Sequence, residues 1–218
     1  MKLTSSEENY LKTIFHLQQG LEAVSTNAVA DKLQTRAASV TDMLKKLNAK
    51  KLLHYKPYYG FYLSAEGKRL AMHIIRRHRL WEVFLSQKLG FAWDEVHILA
   101  EELEHVSSKK LIDKLDEYLG FPTVDPHGDP IPDSKGKITP AEQVNLSKLL
   151  PNQQAILVSV SNQSKEMLDD LTEKNINLGT KIEVRKKSLF DESLEVKVRN
   201  RHLTLTAQLA KHLFVKII

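Results

Sequence analysis

The segment FAWDEVHILAEELEHVS, residues 91–107, carries His97, Glu101, Glu104 and His105 at successive spacings of four, three and one. On a helix of about 3.6 residues per turn these positions share a face. Imidazole nitrogen with carboxylate oxygen suits a borderline divalent cation such as manganese, iron or zinc. Ile98, Leu99, Leu103 and Val106 supply an apolar stripe beside them, so the ligand-type residues border a face expected to be buried. A second stretch, RRHRLWEVFL, places His78 and Glu82 four apart. A single row of Glu and His on a helix is ordinarily a solvated face. Two helices with the same pairing favour convergence on a shared metal, and both readings stand at this level.

The elements that must position these residues follow in chain order. EENYLKTIFHLQQ, residues 7–19, has Tyr10, Leu11, Ile14, Phe15 and Leu17 at helical spacing, with Gly20 as its stop. Ser25 or Thr26 can cap a second helix running to about Leu33, with Ala28, Val29 and Leu33 facing inward. After a polar break at 34–36, AASVTDMLKKLNAKK predicts a third helix that buries Val40, Leu44 and Leu47. LLHYKPYYGFYLS predicts two short strands joined around Pro57 to Gly60. Helix, turn, helix and hairpin is the order of a winged helix-turn-helix, whose second motif helix enters the major groove while the wing touches the backbone.

Charge supports that placement. From Ala37 to His73 there are seven Lys/Arg against two acids, a local +5 that equals the excess of the whole 218-residue chain. Lys and Arg neutralise phosphates, and small or polar side chains on the exposed helix face meet base edges. The candidate DNA-contact residues are Arg36, Ala38, Ser39, Thr41, Asp42, Lys45 and Lys46 on or before the third helix, and Lys56 and Tyr58 on the hairpin. The short side chains of Ala37, Ala38 and Ser39 allow close approach to a groove. A three-helix domain that binds another protein is the alternative reading.

Residues 64–90 predict a long helix from about Lys68, following a turn at Ser64 and Gly67. Its apolar residues, including Leu70, Ile74, Leu80, Trp81 and Phe84, are too many for one narrow stripe, which fits a position between the winged domain and a partner such as a second copy of the chain. From Asp94 to Glu117 the local charge is −5, so this acidic part does different work from the basic first part. SSKKLIDKLDEYLG predicts a further helix stopped by Gly120. Five of the seven prolines lie between 122 and 140, in a linker or ordered irregular loop where Asp125 and His127 are either metal ligands or turn residues. Beyond Leu149, short strands with turns and two short helices predict a small β-barrel.

With no cysteine, disulfides, thiolate zinc sites and cysteine nucleophiles are excluded. MKLTSSEENY lacks a signal peptide's apolar region, and no apolar run approaches the roughly 18 residues of a membrane span. A cytoplasmic location without membrane association is expected. No HExxH pattern occurs, which weighs against a metallohydrolase.

The ordered combination EENYLKTI, winged motif, RRHRL..E and VH...E..EH resembles the diphtheria-toxin-repressor family, which includes bacterial manganese-responsive repressors. The tail, with its strand, helix and NLGTKIEV, is similar to the SH3-like, FeoA-type third domain of the longer members. The resemblance implies a mainly α protein with a C-terminal small barrel: a winged helix-turn-helix domain at 1–73, a helical dimerisation and metal-binding domain with Pro-rich linker at 74–140, and an SH3-like domain at 141–218. It implies a homodimer that binds a palindromic DNA operator when loaded with Mn(2+) or Fe(2+), with zinc as an in vitro substitute. Carried over by residue, a primary metal position takes Asn9, Glu101, Glu104 and His105, and an ancillary one takes His78, Glu82 and His97. In some manganese-type members the residue at His78 joins the primary cluster. Asp125 and His127 resemble a loop ligand pair, and Glu166 stands near the third-domain ligands. The chain departs from the manganese-type pattern in having Asn9 for the usual Asp and Lys12 for the usual Glu. Glu101 replaces the cysteine of iron-type members with a harder ligand.

Overall fold

The structure, a computed structural model, describes residues 2–18, 22–56, 58–139 and 142–218. Gly20, expected as a helix stop, Pro57, expected in the hairpin turn, and the expected domain boundary at 140/141 lie outside the described residues. The chain forms two compact units. One comprises Met1–His78, Leu103–Asp113 and Pro132–Ile138, and the other Arg79–Glu102, Lys114–Ile131 and Thr139–Ile218.

In the first unit, α1 (Ser5–Leu17) opens with a capping box: Thr4 and Glu7 exchange side chain-to-backbone hydrogen bonds that satisfy two otherwise orphaned amides. The Ser25 side chain caps α2 (Thr26–Lys32). On α3 (Ala37–Ala49), Val40, Leu44 and Leu47 are buried as their spacing predicts, against Leu11 and Ile14 of α1 and Val29 of α2 in one apolar cluster. β1 (Leu53–Lys56) and β2 (Gly60–Leu63) pair antiparallel, and Phe61 also bridges to Val24. This is the winged helix-turn-helix arrangement.

The long helix α4 (Ala65–Leu89) starts earlier than expected, because the Ser64 hydroxyl accepts from the Gly67 amide at 3.0 Å and so caps it. Gly67 is helical rather than a turn residue. A Cβ there would lie 2.2 Å from the Leu52 carbonyl oxygen, so glycine is what lets the helix pass that close.

The next helix, α5 (Val96–Leu103), is shorter than expected, and Glu104 and His105 lie in the turn beyond its end. Its buried positions are Val96 and Ala100, four apart. Ile98 is 64% exposed and Val106 is also exposed, so the apolar stripe read from the sequence is not the buried face in the chain by itself. α6 (Lys109–Tyr118) follows, with the Ser108 hydroxyl accepting from the Leu111 amide.

The second unit ends in a six-stranded antiparallel sheet. Its strands are β3 (Val144–Asn145), β4 (Gln154–Val160), β5 (Lys181–Lys187), β6 (Leu194–Val198), β7 (Arg201–Leu205) and β8 (Leu213–Ile217), in the order β3-β8-β4-β5-β6-β7. Two helices, α7 (Lys165–Glu173) and α8 (Ala207–Ala210), contribute Leu168, Leu171 and Ala210 to its core. The expected small barrel is not closed. Edge strands β3 and β7 do not pair among the described residues, and a two-residue β3 offers too few backbone groups to complete a ring.

Candidate functional site

The nucleic-acid face comes first from the N-cap of α3. Arg36 makes no side-chain capping bond there, and Arg36, Ala37, Ala38 and Ser39 are all exposed. The Thr41 hydroxyl donates to the Ala37 carbonyl at 2.9 Å and keeps its acceptor lone pairs. Asp42 and Lys45 are exposed and 3.8 Å apart. Lys46 is also exposed, but its ammonium lies 3.2 Å from Glu7, which Lys50 holds at 2.6 Å. Burial pushes the Glu7 carboxyl up, and the bonds from Lys50, the Thr4 amide and Lys46 outweigh this and bring it down to about 2. Lys46 therefore also braces α3 on α1. On the wing, Tyr58 is fully exposed with a positive φ of 65°, and the Lys56 ammonium sits over the Tyr59 ring. A basic, small-residue helix start beside an aromatic wing is fit to meet phosphates and a groove.

The expected metal ligands divide into two groups. Glu82 of α4 has a buried side chain, and its Oε1 lies 3.2 Å from His97 Nδ1 on α5. The proline-rich loop brings Asp125 and His127 to the same carboxylate, with His127 Nδ1 3.8 Å from Glu82 Oε1. Ligand atoms of Glu82, Asp125 and His127 all lie within 4.8 Å of one another. His78 is one helical turn before Glu82 on α4.

The loop is ordered for this by its own chemistry. Asp125 Oδ1 accepts from the amides of His127 at 2.8 Å and Asp129 at 3.0 Å, an Asx turn that fixes the backbone. Gly128 then passes so close to β4 that a Cβ would fall 1.9 Å from the Val158 carbonyl oxygen. The Val160 amide donates to the His127 carbonyl.

The sequence favoured turn chemistry with an exposed His over metal ligation for Asp125 and His127. They are 4% and 0% exposed, which a surface turn would not require. His127 Nε2 donates to the Trp93 carbonyl at 2.7 Å. That bond fixes the tautomer and leaves Nδ1, which makes no hydrogen bond, as a lone-pair donor facing Glu82. Asp125 Oδ2 likewise makes no hydrogen bond and lies 3.4 Å from Arg79 Nε. Burial, then the Glu82 and Asp129 carboxylates, push Asp125 well above its ordinary value of 3.8, against the opposing pull of Arg79. Burial also holds His127 below 6.5, in the neutral form a metal needs. A buried Asp125 pushed up by its neighbouring carboxylates, with Asp125 Oδ2 and His127 Nδ1 free of hydrogen bonds, fits a divalent cation.

The second group lies around Glu104 and is built differently. Glu104 is fully buried, and the Lys12 ammonium sits 2.7 Å from its Oε1 and 2.8 Å from its Oε2. His78 Nδ1 donates to Oε2 at 2.7 Å. Burial alone would raise the Glu104 carboxyl; His78 and Lys12 together hold it below 4.5. His105 Nδ1 donates to Glu8 at 2.8 Å, and Arg77 bonds both Glu8 and the Glu104 backbone carbonyl. Asn9 Oδ1 is buried without a hydrogen bond. Glu101 is half exposed and nears His97 Nε2 at 3.7 Å. No cluster of three His, Asp or Glu ligand atoms forms around Glu104 or His105 among the described residues, and an ammonium already bonds the carboxylate. Glu166 is exposed on α7 and joins no such cluster either.

Comparison with known proteins agrees with both faces. The chain matches the model of the iron dependent repressor N-terminal DNA binding domain over residues 2–61, that of the iron dependent repressor metal binding and dimerisation domain over 64–133, and that of the FeoA domain over 144–217. It is 29% identical over 175 residues to the iron-dependent repressor IdeR of Mycobacterium leprae, covering 78% of this chain and 76% of that protein. It is 30% identical over 118 residues to the HTH-type transcriptional regulator MntR of Oceanobacillus iheyensis, covering 54% of this chain and 80% of that protein. A solved manganese-dependent transcriptional repressor in complex with manganese superposes with a TM-score of 0.88 at 30% identity, covering 97% of this chain and all of that one. ScaR with bound Cd2+ superposes at 0.82 with 30% identity, covering 97% and 99%. With its winged helix, its FeoA-type sheet and its buried His and carboxylate cluster, the chain belongs to the diphtheria-toxin-repressor family of metal-dependent transcriptional repressors.

Proposed function

We propose that this protein is a divalent-metal-dependent repressor, responsive to manganese or ferrous iron, that binds a palindromic operator as a homodimer and controls metal-homeostasis genes. The observation that carries the reading is the buried cluster of Glu82, Asp125 and His127, in which Asp125 Oδ2 and His127 Nδ1 make no hydrogen bond, in a chain that also bears an exposed basic α3. Glu82, Asp125 and His127 would hold the cation, with His97 beside Glu82 and His78 one turn away. A divalent ion, when bound, supplies two positive charges among carboxylates that otherwise repel one another.

The chain's own residues do the rest. His127 presents Nδ1 because Trp93 fixes the opposite nitrogen. Asp125 holds the loop through Oδ1 while Oδ2 faces the cluster. Imidazole and carboxylate donors without thiolate suit manganese or ferrous iron, and zinc binding in vitro is compatible with the same set. Metal bound only by the competent arrangement shifts the population towards it by its differential affinity. On the DNA side, Arg36 and Lys45 would neutralise phosphates, and Ala38, Ser39, Thr41 and Asp42 would face base edges. Lys56 and Tyr58 would follow the backbone from the wing.

The test is binding of chelator-stripped protein to the DNA upstream of its own gene, at fixed salt, titrated separately with manganese, ferrous iron and zinc. Binding that appears only with metal, and is lost in Glu82→Gln, is the expected result. Equal binding with and without metal would overturn the metal dependence and leave a winged-helix regulator that does not sense metal.

A further inference from the structure

The cluster around Glu104 contains as many permanent cations as carboxylates. Glu8 and Lys12 stand four apart on one face of α1. The Lys12 ammonium donates to Glu104 Oε2 and sits 2.7 Å from Oε1, and Arg77 bonds Glu8 and the Glu104 carbonyl. His78 and His105 donate to the same two carboxylates. All of these residues belong to one compact unit, and the Glu104 carboxylate is fully buried.

A buried carboxylate with an ammonium within ion-pair distance of both oxygens, and hydrogen bonds from that ammonium and a histidine to one of them, has its charge compensated. A divalent ion placed there would have to displace the Lys12 ammonium, which is itself largely buried, and leave it beside a second positive charge. Asn9, next to Glu8 on α1, offers a neutral amide oxygen that adds no charge to attract an ion.

We infer that Lys12 is a built-in cation that replaces a metal ion at Glu104, so that α1 is fastened to the turn after α5 whether or not metal is present. Metal is then held only by ligands gathered at Glu82, one ion per chain. The fastening itself does not rest on the metal reading of Glu82; the stoichiometry does, and the test separates them.

Manganese is counted by native mass spectrometry and calorimetry on full-length, chelator-stripped protein. The variants are wild type, Glu82→Gln, the double variant Asn9→Asp/Lys12→Glu, and Lys12→Arg as the conservative control. Thermal unfolding of each stripped protein shows that it is folded. The expected counts are one manganese in wild type and Lys12→Arg, none in Glu82→Gln, and one more than wild type in the double variant. In the double variant the added ion should raise the unfolding midpoint, a readout independent of DNA binding. A wild-type count of two, with one ion surviving Glu82→Gln, would overturn the inference. A wild-type count of zero with one ion gained in the double variant would uphold the Lys12 replacement and sink the metal reading of Glu82. If the double variant does not fold, Asn9→Asp/Lys12→Gln replaces it, and a count no higher than wild type in the folded variant would overturn the inference.

Discussion

Two clusters in this protein are built from the same residue types and differ in the cations the fold brings to them. Around Glu104, carboxylates from Glu8 and Glu104 meet Lys12 and Arg77, and His78 and His105 donate to the same two carboxylates. Beside Glu82, Asp125 and Asp129 share the Arg79 guanidinium, and Asp125 Oδ2 and His127 Nδ1 lack hydrogen bonds. The first is an ionic joint whose buried carboxylate already holds an ammonium; the second buries carboxylates against one another around ligand atoms without hydrogen bonds. What separates a structural His/Glu cluster from a metal centre is therefore the resident positive charge, not the ligand residues themselves.

The comparison breaks most sharply at Glu82. Glu82→Gln removes a charged donor from the centre of the unbalanced cluster. Loss of a group that only hydrogen-bonds and orients a ligand already costs about 10–100-fold in metal affinity, so roughly 100-fold or more is expected here, read by manganese calorimetry. Retained affinity would show that the cluster is not the metal centre.

At the balanced cluster the largest effect falls on stability. Lys12→Met leaves Glu104 buried without its ammonium, and breaking such a pair costs about 3–5 kcal/mol. For a chain of this size that corresponds to a midpoint lowered by roughly 10 °C in metal-free protein. An unchanged midpoint would show that Lys12 does not carry the joint.

Acid sharpens the picture at Glu7. Its folded value of about 2 lies below its ordinary 4.5, so its contribution to stability is full above pH 4.5 and is lost as pH falls through about 2. Glu7→Gln should flatten the acid limb of a stability-against-pH curve over that interval, and an unaltered limb would argue against the Lys50 and Lys46 clasp. The smallest effects belong to the DNA face. Lys45→Ala should weaken binding modestly and reduce the salt slope by about 1. Lys46→Ala should do the same with an added loss of stability, because its ammonium also reaches Glu7. Equal stability of the two variants would remove that distinction.

Much of this was legible in the residues. Val40, Leu44 and Leu47 announce the buried face of α3 by spacing alone, and His78 with Glu82 announces one face of α4 in the same way. The sheet strands were legible too, but not its openness, since closure depends on whether the edges can pair. The stripe of Ile98 and Val106 misled, because α5 ends at Leu103 and buries Val96 and Ala100 instead. A row of His and Glu continued past the helix end carries no shared face there. Asp125 and His127 sat undecided in a proline-rich loop, since sequence cannot tell a turn aspartate from a buried one that does both jobs.

The sequence by itself determined the order of elements, the basic winged half, the ligand types on offer and the absence of thiolates, because periodicity, charge and residue chemistry are local properties. Only the tertiary structure decided which carboxylates acquired a cation. Lys12 and Glu104 are 92 residues apart in the chain, and Glu82 meets a loop more than 40 residues on. The balance of charge in a buried cluster is set by whichever distant side chains the fold brings within a few ångströms, where low dielectric makes each of them count.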